Sequence, residues 1–258
     1  MHHPEDPRRT VGDAEVITTA LIAASYFHGH WERACVLVKR LGYFPHMLSV
    51  SRFNRRLHAV ADLVVTFLMV LGDHAKHLTS KLIYALDSFP IPVCQNIRIG
   101  RCRLYRDPRY RGYIPSKRTY FYGVNLHLMI TEYGHPIEVF LTPGSVTDVE
   151  TLPLYRFDLP EGATVYADRG YTHYAIEDEL REMAAIDLTP MRKKNSQRPF
   201  SGPVQFAQMI YRKRVETAGS MINALFPKHI HAVTPQGFEL KIFLFVLAYA
   251  FDRYGLAT

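Results

Sequence analysis

Cysteine is scarce in this chain, 3 among 258 residues. Cys35, Cys94 and Cys102 are too few and too scattered for a disulfide framework. No second pair near Cys94 and Cys102 completes a metal site, so the thiols read as reduced and packed, and the compartment as the cytoplasm. Long apolar runs are missing as well. The stretches around Val64–Leu71 and Ile242–Phe251 fall well short of the ~20 residues that a membrane-spanning helix needs, and they read as buried helices. The opening MHHPEDPRRT is polar and has no apolar core of the signal-peptide kind. Internal repeats and low-complexity linkers are absent too. What remains is 48% hydrophobic and 21% charged, an ordinary globular balance that excludes a wholly disordered chain.

The charge is less ordinary. A net +7 and an isoelectric point near 9.3 favour a polyanionic partner, nucleic acid or an anionic membrane surface. The basic residues do not gather on one amphipathic helix, which disfavours the membrane.

Apolar periodicity predicts helices from Asp13 to about Phe27, from Trp31 to Leu41, and from Ser51 through Val65 to about Leu78. From Lys81 the pattern changes. Leu82–Ser88 is a short apolar run ending in an acid, which suits a buried strand. Tyr120–Ile130 and Ile137–Leu141 flank a Tyr133-Gly134 turn and read as an antiparallel hairpin. Thr147 to Glu150 has the spacing of a capping box. Ala163–Asp168 is a further strand, Tyr174–Ala185 an amphipathic helix, Ile186–Thr189 a strand, and Val204–Phe226 a long helix. This order predicts an α/β fold, a mixed sheet with helices on both faces, and it is the element order of ribonuclease-H-like nucleases. The domain expectation is a helical region over residues 1–80 and a catalytic domain over 81–258.

Three acids stand out. Asp87 and Asp168 are each expected at the carboxyl end of a strand, where ligands bind in sheets of this kind. Like charges brought together cost energy unless a cation sits between them, so two acids aimed at one crevice suggest a metal site. On the long helix, Tyr211, Val215, Ala218, Ile222 and Leu225 form an apolar stripe. Arg212, Glu216, Gly219 and Asn223 lie one position round, which puts Glu216 at the border of the buried face. Hard oxygen ligands suit Mg²⁺ or Mn²⁺, and a pair of such ions serves phosphoryl displacement. Plainer explanations compete: a strand terminator for Asp87, a turn for Asp168, and an i,i+4 pair with Arg212 for Glu216. The capping box accounts for Asp148 and Glu150.

At these residues the chain resembles a known group. Asp87-Ser-Phe-Pro-Ile-Pro-Val-Cys94, Ser116-Lys-Arg-x-Tyr-Phe-Tyr-Gly123, Thr142-Pro-Gly-Ser-x-x-Asp148 and Tyr166-Ala-Asp-Arg-Gly-Tyr171 follow in order. Arg212-x-x-x-Glu216, Phe226-Pro-x-x-Ile-His231 and Gly237-Phe-Glu-Leu-Lys241 complete the series. Together they resemble DDE-type bacterial insertion-sequence transposases, most nearly the insertion-sequence 982 family, from about Asp13 to Tyr254. The resemblance implies a ribonuclease-H-like domain that cuts at terminal inverted repeats and joins the freed 3′-hydroxyl to target DNA. It implies Asp87, Asp168 and Glu216 as the catalytic and metal-holding triad, with Mg²⁺ as cofactor and Mn²⁺ as its substitute. Related transposases carry a Lys seven residues after the Glu and a Tyr three before the Arg. Here those positions hold Asn223 and Met209, departures that bear on DNA-end positioning and not on the metal ligands.

The basic segments then become candidate DNA contacts: Arg98, Arg101, Arg103, Arg106, Arg109, Arg111, Lys117 and Arg118, interleaved with Tyr105, Tyr110 and Tyr113. Arg192, Lys193, Lys194, Arg212 and Arg214 extend the set, as do Arg52, Arg55 and Arg56 in the helical region. His127, His173, His229 and His231 read as structural or phosphate-adjacent. The expected partners are double-stranded DNA, both terminal repeats and target, and a second copy of the chain on that DNA, with no membrane. A nuclease of the same fold that cuts without joining, and an inactive DNA-binding derivative, are the competing readings.

Overall fold

The computed structural model describes residues 10–44, 46–115 and 117–255; the polar opening up to residue 9, and Ser116 of the second motif, lie outside it. The chain forms two compact units, residues 1–68 with 222–258, and residues 69–221.

The helical unit contains α1 (Asp13–Phe27), α2 (Trp31–Arg40), α3 (Val50–Ala59) and the start of α4 (Ala61–Leu78). The end of α7 (Gly202–Leu225) and α8 (Pro235–Arg253) complete it. α8 is apolar nearly all round, with Phe238, Ile242 and every residue from Leu244 to Ala250 buried, which makes it a core helix. It packs on α1 and so belongs with the N-terminal helices, although the sequence places it in the 81–258 segment. The turn from α1 to α2 needs left-handed backbone at His28 and Gly29. A side chain at Gly29 would also press on the Phe245 ring, with a Cβ only 3.0 Å from it. The single helix expected from Ser51 to Leu78 is two helices, because the chain bends by 57° at Val60 between α3 and α4. No single helix among the described residues is long and apolar enough to cross a membrane; that bent pair passes by length and composition only.

The other unit is built on six strands: β1 (Ile83–Cys94), β2 (Arg111–Ile114), β3 (Thr119–Thr131), β4 (Pro136–Pro143), β5 (Thr164–Ala167) and β6 (Asp187–Pro190). Their order is β2-β3-β1-β5-β6, with β4 also paired to β3. β3 is antiparallel to β1, β2 and β4, whereas β1, β5 and β6 run parallel. The expected hairpin is β3–β4, turning at Tyr133-Gly134. This mixed sheet, flanked by α5 (Asp148–Thr151), α6 (Tyr174–Ala184) and α7, is the α/β arrangement the sequence predicts and is consistent with a ribonuclease-H-like fold.

Two strand details differ from expectation. β2 forms inside the basic stretch from Arg98 to Arg118, for which the sequence pattern predicts no strand. β1 does not end at Asp87 but continues through Pro90 and Pro92 to Cys94 against β3. The prolines are tolerated because β5 pairs with β1 only as far as Leu86, leaving an open edge where missing N–H groups cost nothing.

Candidate active site

The parallel ladder between β1 and β5 runs from Ile83↔Thr164 to Leu86↔Ala167 and stops. Asp87, still within β1, and Asp168, the first residue after β5, come next in each segment where the ladder ends. Each carboxylate turns back on its own chain: Asp87 Oδ1 accepts from the Ser88 N–H at 2.8 Å, and Asp168 Oδ1 from the Arg169 N–H at 2.8 Å.

The long helix α7 supplies the third acid. Side chains alternate across a strand, so Ala85, Asp87 and Phe89 share one face of β1. Tyr211 stacks on Tyr166, the register partner of Ala85, with ring centroids 5.1 Å apart. Farther on, Gly219 meets Phe89 so closely that a Cβ there would lie 2.2 Å from the ring. α7 therefore runs along β1 in the strand's own direction, and Glu216 falls between these two anchors, level with Asp87. Val215, Ala218 and Ile222 are buried, as the apolar stripe predicts.

Arg212 connects the acids. Its guanidinium lies 3.0 Å from Glu216 Oε1 and 3.7 Å from Asp168 Oδ1. The acids are thus drawn together around a cation that the chain itself provides. Asp87 is left outside this pairing. Burial pushes its carboxyl up to about 7, opposed by the Ser88 N–H and assisted by the charges of Asp148 and Asp168, with Arg212 pulling back.

Asp148 is the residue that sequence reasoning passed over. The capping box at α5 is made by Thr147 and Glu150, which frees Asp148 to point elsewhere. Its Oδ1 accepts from the Ser88 hydroxyl at 2.6 Å, and its Oδ2 sits so close to Gly170 that a Cβ there would lie 2.6 Å away. Burial raises its carboxyl, the Ser88 hydroxyl lowers it, and Asp168 raises it. Asp87, Asp148 and Asp168 therefore act on one another at the end of the ladder, with Glu216 joined to them through Arg212. The available signal was Ser88, next to Asp87 in a motif, but nothing in the spacing ties it to residue 148.

Among the described residues no group of three or more His, Cys, Asp or Glu stands in metal-holding geometry. The donor set still fits a hard divalent ion. It offers carboxylate oxygens, and among the described residues Arg212 is the cation paired with them. A cation would relieve the penalty that holds Asp87 near 7.

The basic residues fall into distinct groups. Arg98, Arg101, Arg103, Arg106, Arg109, Arg111, Lys117 and Arg118 are all exposed. Arg109 pairs with Asp107 at 3.2 Å, and Arg111 lies over the Tyr120 ring. Of the interleaved tyrosines, Tyr113 is open to solvent, but Tyr105 is buried against Tyr110 and is not free to meet a base. Arg192 is closed off as well: its guanidinium pairs with Glu177, both side chains are under 10% exposed, and Tyr174 and Phe200 cover it. Lys193 and Lys194 beside it are exposed. Arg214 donates to the Glu132 carbonyl and stacks over Tyr211. In the helical unit Arg52 and Arg55 are exposed, whereas Arg56 pairs with Asp13 and ties α3 to α1. His127 is a core residue, bonded to Thr142 at 2.8 Å and pushed down to about 4 by burial. His173 caps α6.

A family model described as "Transposase DDE domain" matches residues 78–227. No curated protein and no solved structure matches the chain.

Proposed function

The chain belongs to the transposase DDE-domain family, and from that premise we propose that it cuts DNA at the terminal inverted repeats of an insertion sequence and joins the 3′-hydroxyl ends to target DNA. The motif series supports a place within the insertion-sequence 982 group. The observation that carries the reading is that Asp87 and Asp168 each follow the last paired residue of the β1–β5 ladder, with Arg212 spanning Asp168 and Glu216.

Asp87, Asp168 and Glu216 would hold Mg²⁺, or Mn²⁺ in its place. When bound, such ions activate the attacking oxygen and stabilise the leaving one in phosphoryl displacement. The chain's own residues set up that site. Phe89 against Gly219 and Tyr166 against Tyr211 fix the height of Glu216 along β1. Asp148, through the Ser88 hydroxyl, braces the segment that carries Asp87 and adds negative charge behind it. Arg212 neutralises Asp168 and Glu216 in the resting protein and is free to take a DNA phosphate once other positive charge occupies the centre. The exposed basic residues from Arg98 to Arg118, with Lys193, Lys194, Arg52 and Arg55, supply phosphate contacts.

In this reading the helical unit recognises DNA ends. Two ends per element call for two copies of the chain, working on DNA in the cytoplasm. The test uses a pre-cut duplex end whose sequence is read from inverted repeats flanking the gene. In Mg²⁺ the protein should transfer that end to a plasmid. Cutting without any transfer would reduce it to a nuclease of the same fold; neither activity, from a folded protein, would leave a DNA-binding derivative.

A further inference from the structure

The carboxylate centre lies wholly in residues 69–221, and two of the sequence motifs, Phe226–His231 and Gly237–Lys241, take no part in it. Both line a cavity inside the helical unit. It has a volume of about 510 Å³, within the usual range for small-ligand pockets.

Lys241 is the centre of the case. Its ammonium donates to the His231 carbonyl and lies 5.3 Å from the Trp31 ring centroid. Among the described residues no carboxylate pairs with it. Burial lowers its affinity for its proton, with no carboxylate acting to restore it. An ammonium partly withdrawn from water without a counter-charge is costly, and an anion in the cavity would reduce that cost.

Three further features point the same way. α2 begins in the cavity wall, and no side chain caps its first N–H groups, so the positive end of the helix faces the space. At the rim Arg33 adds a second cation, opposed by Glu32, and the exposed His28, His30 and His231 add ring nitrogens that can hydrogen-bond a ligand. The remaining wall is apolar, from Pro227 and from the cavity-facing edges of Trp31 and Phe245, whose rings are otherwise buried. A site that joins an anion hole to an aromatic wall fits a phosphate carrying a planar base.

We propose that this cavity takes one nucleotide of a DNA strand, its phosphate on Lys241 and the α2 N-terminus and its base against the aromatic wall. The assignment rests on the reading that DNA is the partner, but not on cutting or joining.

Trp31 is the one tryptophan of the chain, so its emission reports directly on the cavity. The full-length protein, kept free of divalent metal to prevent cutting, is titrated with a short single-stranded oligonucleotide, a deoxynucleoside monophosphate and inorganic phosphate. The oligonucleotide should quench Trp31 and bind more tightly than the monophosphate, and the monophosphate more tightly than phosphate. Lys241→Gln should weaken oligonucleotide binding about tenfold or more, the scale of one lost charge-assisted bond, while melting as the parent does. Should that variant melt early, Arg33→Ala on the exposed rim should weaken binding in the same order of ligands. Unaltered Trp31 emission, or unaltered affinity in the folded variants, overturns the proposal. Phosphate binding as tightly as the oligonucleotide overturns it too, because the site then serves the free ion. A protein that cuts DNA but fails these titrations loses this inference alone. One that passes them but never cuts or joins loses the proposed reaction and keeps the nucleotide site.

Discussion

The carboxylate centre of the sheet unit and the cavity of the helical unit are the same electrostatic arrangement with the signs reversed. In one, Asp87, Asp148 and Asp168 crowd together and burial holds a carboxyl near 7. In the other, burial presses on the Lys241 ammonium, which has only a backbone carbonyl and a ring for company. Neither is a good solution for stability, since a core residue would serve better in both places. The difference lies in how far the chain compensates each. Arg212 meets part of the negative charge, whereas among the described residues no carboxylate answers Lys241. Uncompensated charge of each sign implies an outside partner of the other sign: a cation at the sheet, a phosphate at the helices.

The largest expected effect breaks the sheet side of this comparison. Asp87→Asn keeps the size and one oxygen but removes the charge that would hold a cation. Cutting of an inverted-repeat duplex in Mg²⁺ should fall by roughly a thousandfold or more, since loss of a shared metal ligand removes most of the rate. End binding, which draws on the basic surface, should be intact or slightly tighter. Robust cutting by the folded variant would return Asp87 to the role of a strand residue.

Asp148→Asn should act less severely. It keeps a hydrogen-bond acceptor for the Ser88 hydroxyl while deleting a charge beside Asp87. Cutting should drop by about 10- to 100-fold, the scale of a supporting partner behind a metal ligand. A merely structural role for Asp148 would leave the Asp87 titration alone. A positioning role lowers it, which carboxyl NMR on metal-free protein can read.

Stability against pH gives a smaller signal. The folded carboxyl of Asp87 is raised to about 7 from 3.8, so below pH 4 both states hold the proton and there is no penalty. Between the two values the folded state alone keeps it, and stability falls as pH rises towards 7. Above 7 the full cost is present. Because Asp87 is only half-buried, the net loss should be on the order of 1–2 kcal/mol, less than the shift alone implies. Metal-free Asp87→Asn protein should not lose that stability, and its melting temperature should exceed the parent's at pH 8 and match it at pH 4. Parallel curves for the two proteins would mean that Asp87 is not under electrostatic strain.

How legible all this was depended on whether the cause was local. The hairpin, the strand before Asp168 and the apolar stripe of α7 follow from short-range pattern, and each is where the pattern puts it. The continuation of β1 past Asp87 was hidden because two prolines argue against a strand until the open edge beside β5 is known. Asp148 was hidden for a similar reason. Its neighbours Thr147 and Glu150 satisfy a capping box, and the pull of Ser88 from another element leaves no trace in spacing. Arg192 looked like a surface cation because Lys193 and Lys194 follow it; only the fold brings Glu177, Tyr174 and Phe200 round it. The cavity is assembled from the α1–α2 turn, the segment after α7 and α8, and although two sequence motifs line it, nothing in their spacing brings them to Trp31.

The smallest effect tests the part of the sheet unit that carries the opposite charge. Arg101, Arg103, Arg106 and Arg109 are exposed on the segment around β2, and Arg109 already spends part of its charge on Asp107. If all four touch phosphates, replacing them with Ala should reduce the slope of log K against log salt by up to about 3.6, at 0.9 per contact. The Asp107 pair makes a value nearer three contacts the better expectation. Affinity at low salt should fall while affinity at high salt changes little, because ion release and not base reading is what these residues provide. Lys241→Gln supplies the contrast within one measurement. It removes one cation from a half-buried site, so it should lower affinity at every salt concentration and alter the slope by about one contact at most. An unchanged slope in the fourfold variant would make this segment a solvated surface, and would shift the weight of DNA binding to Lys193, Lys194 and the helical unit.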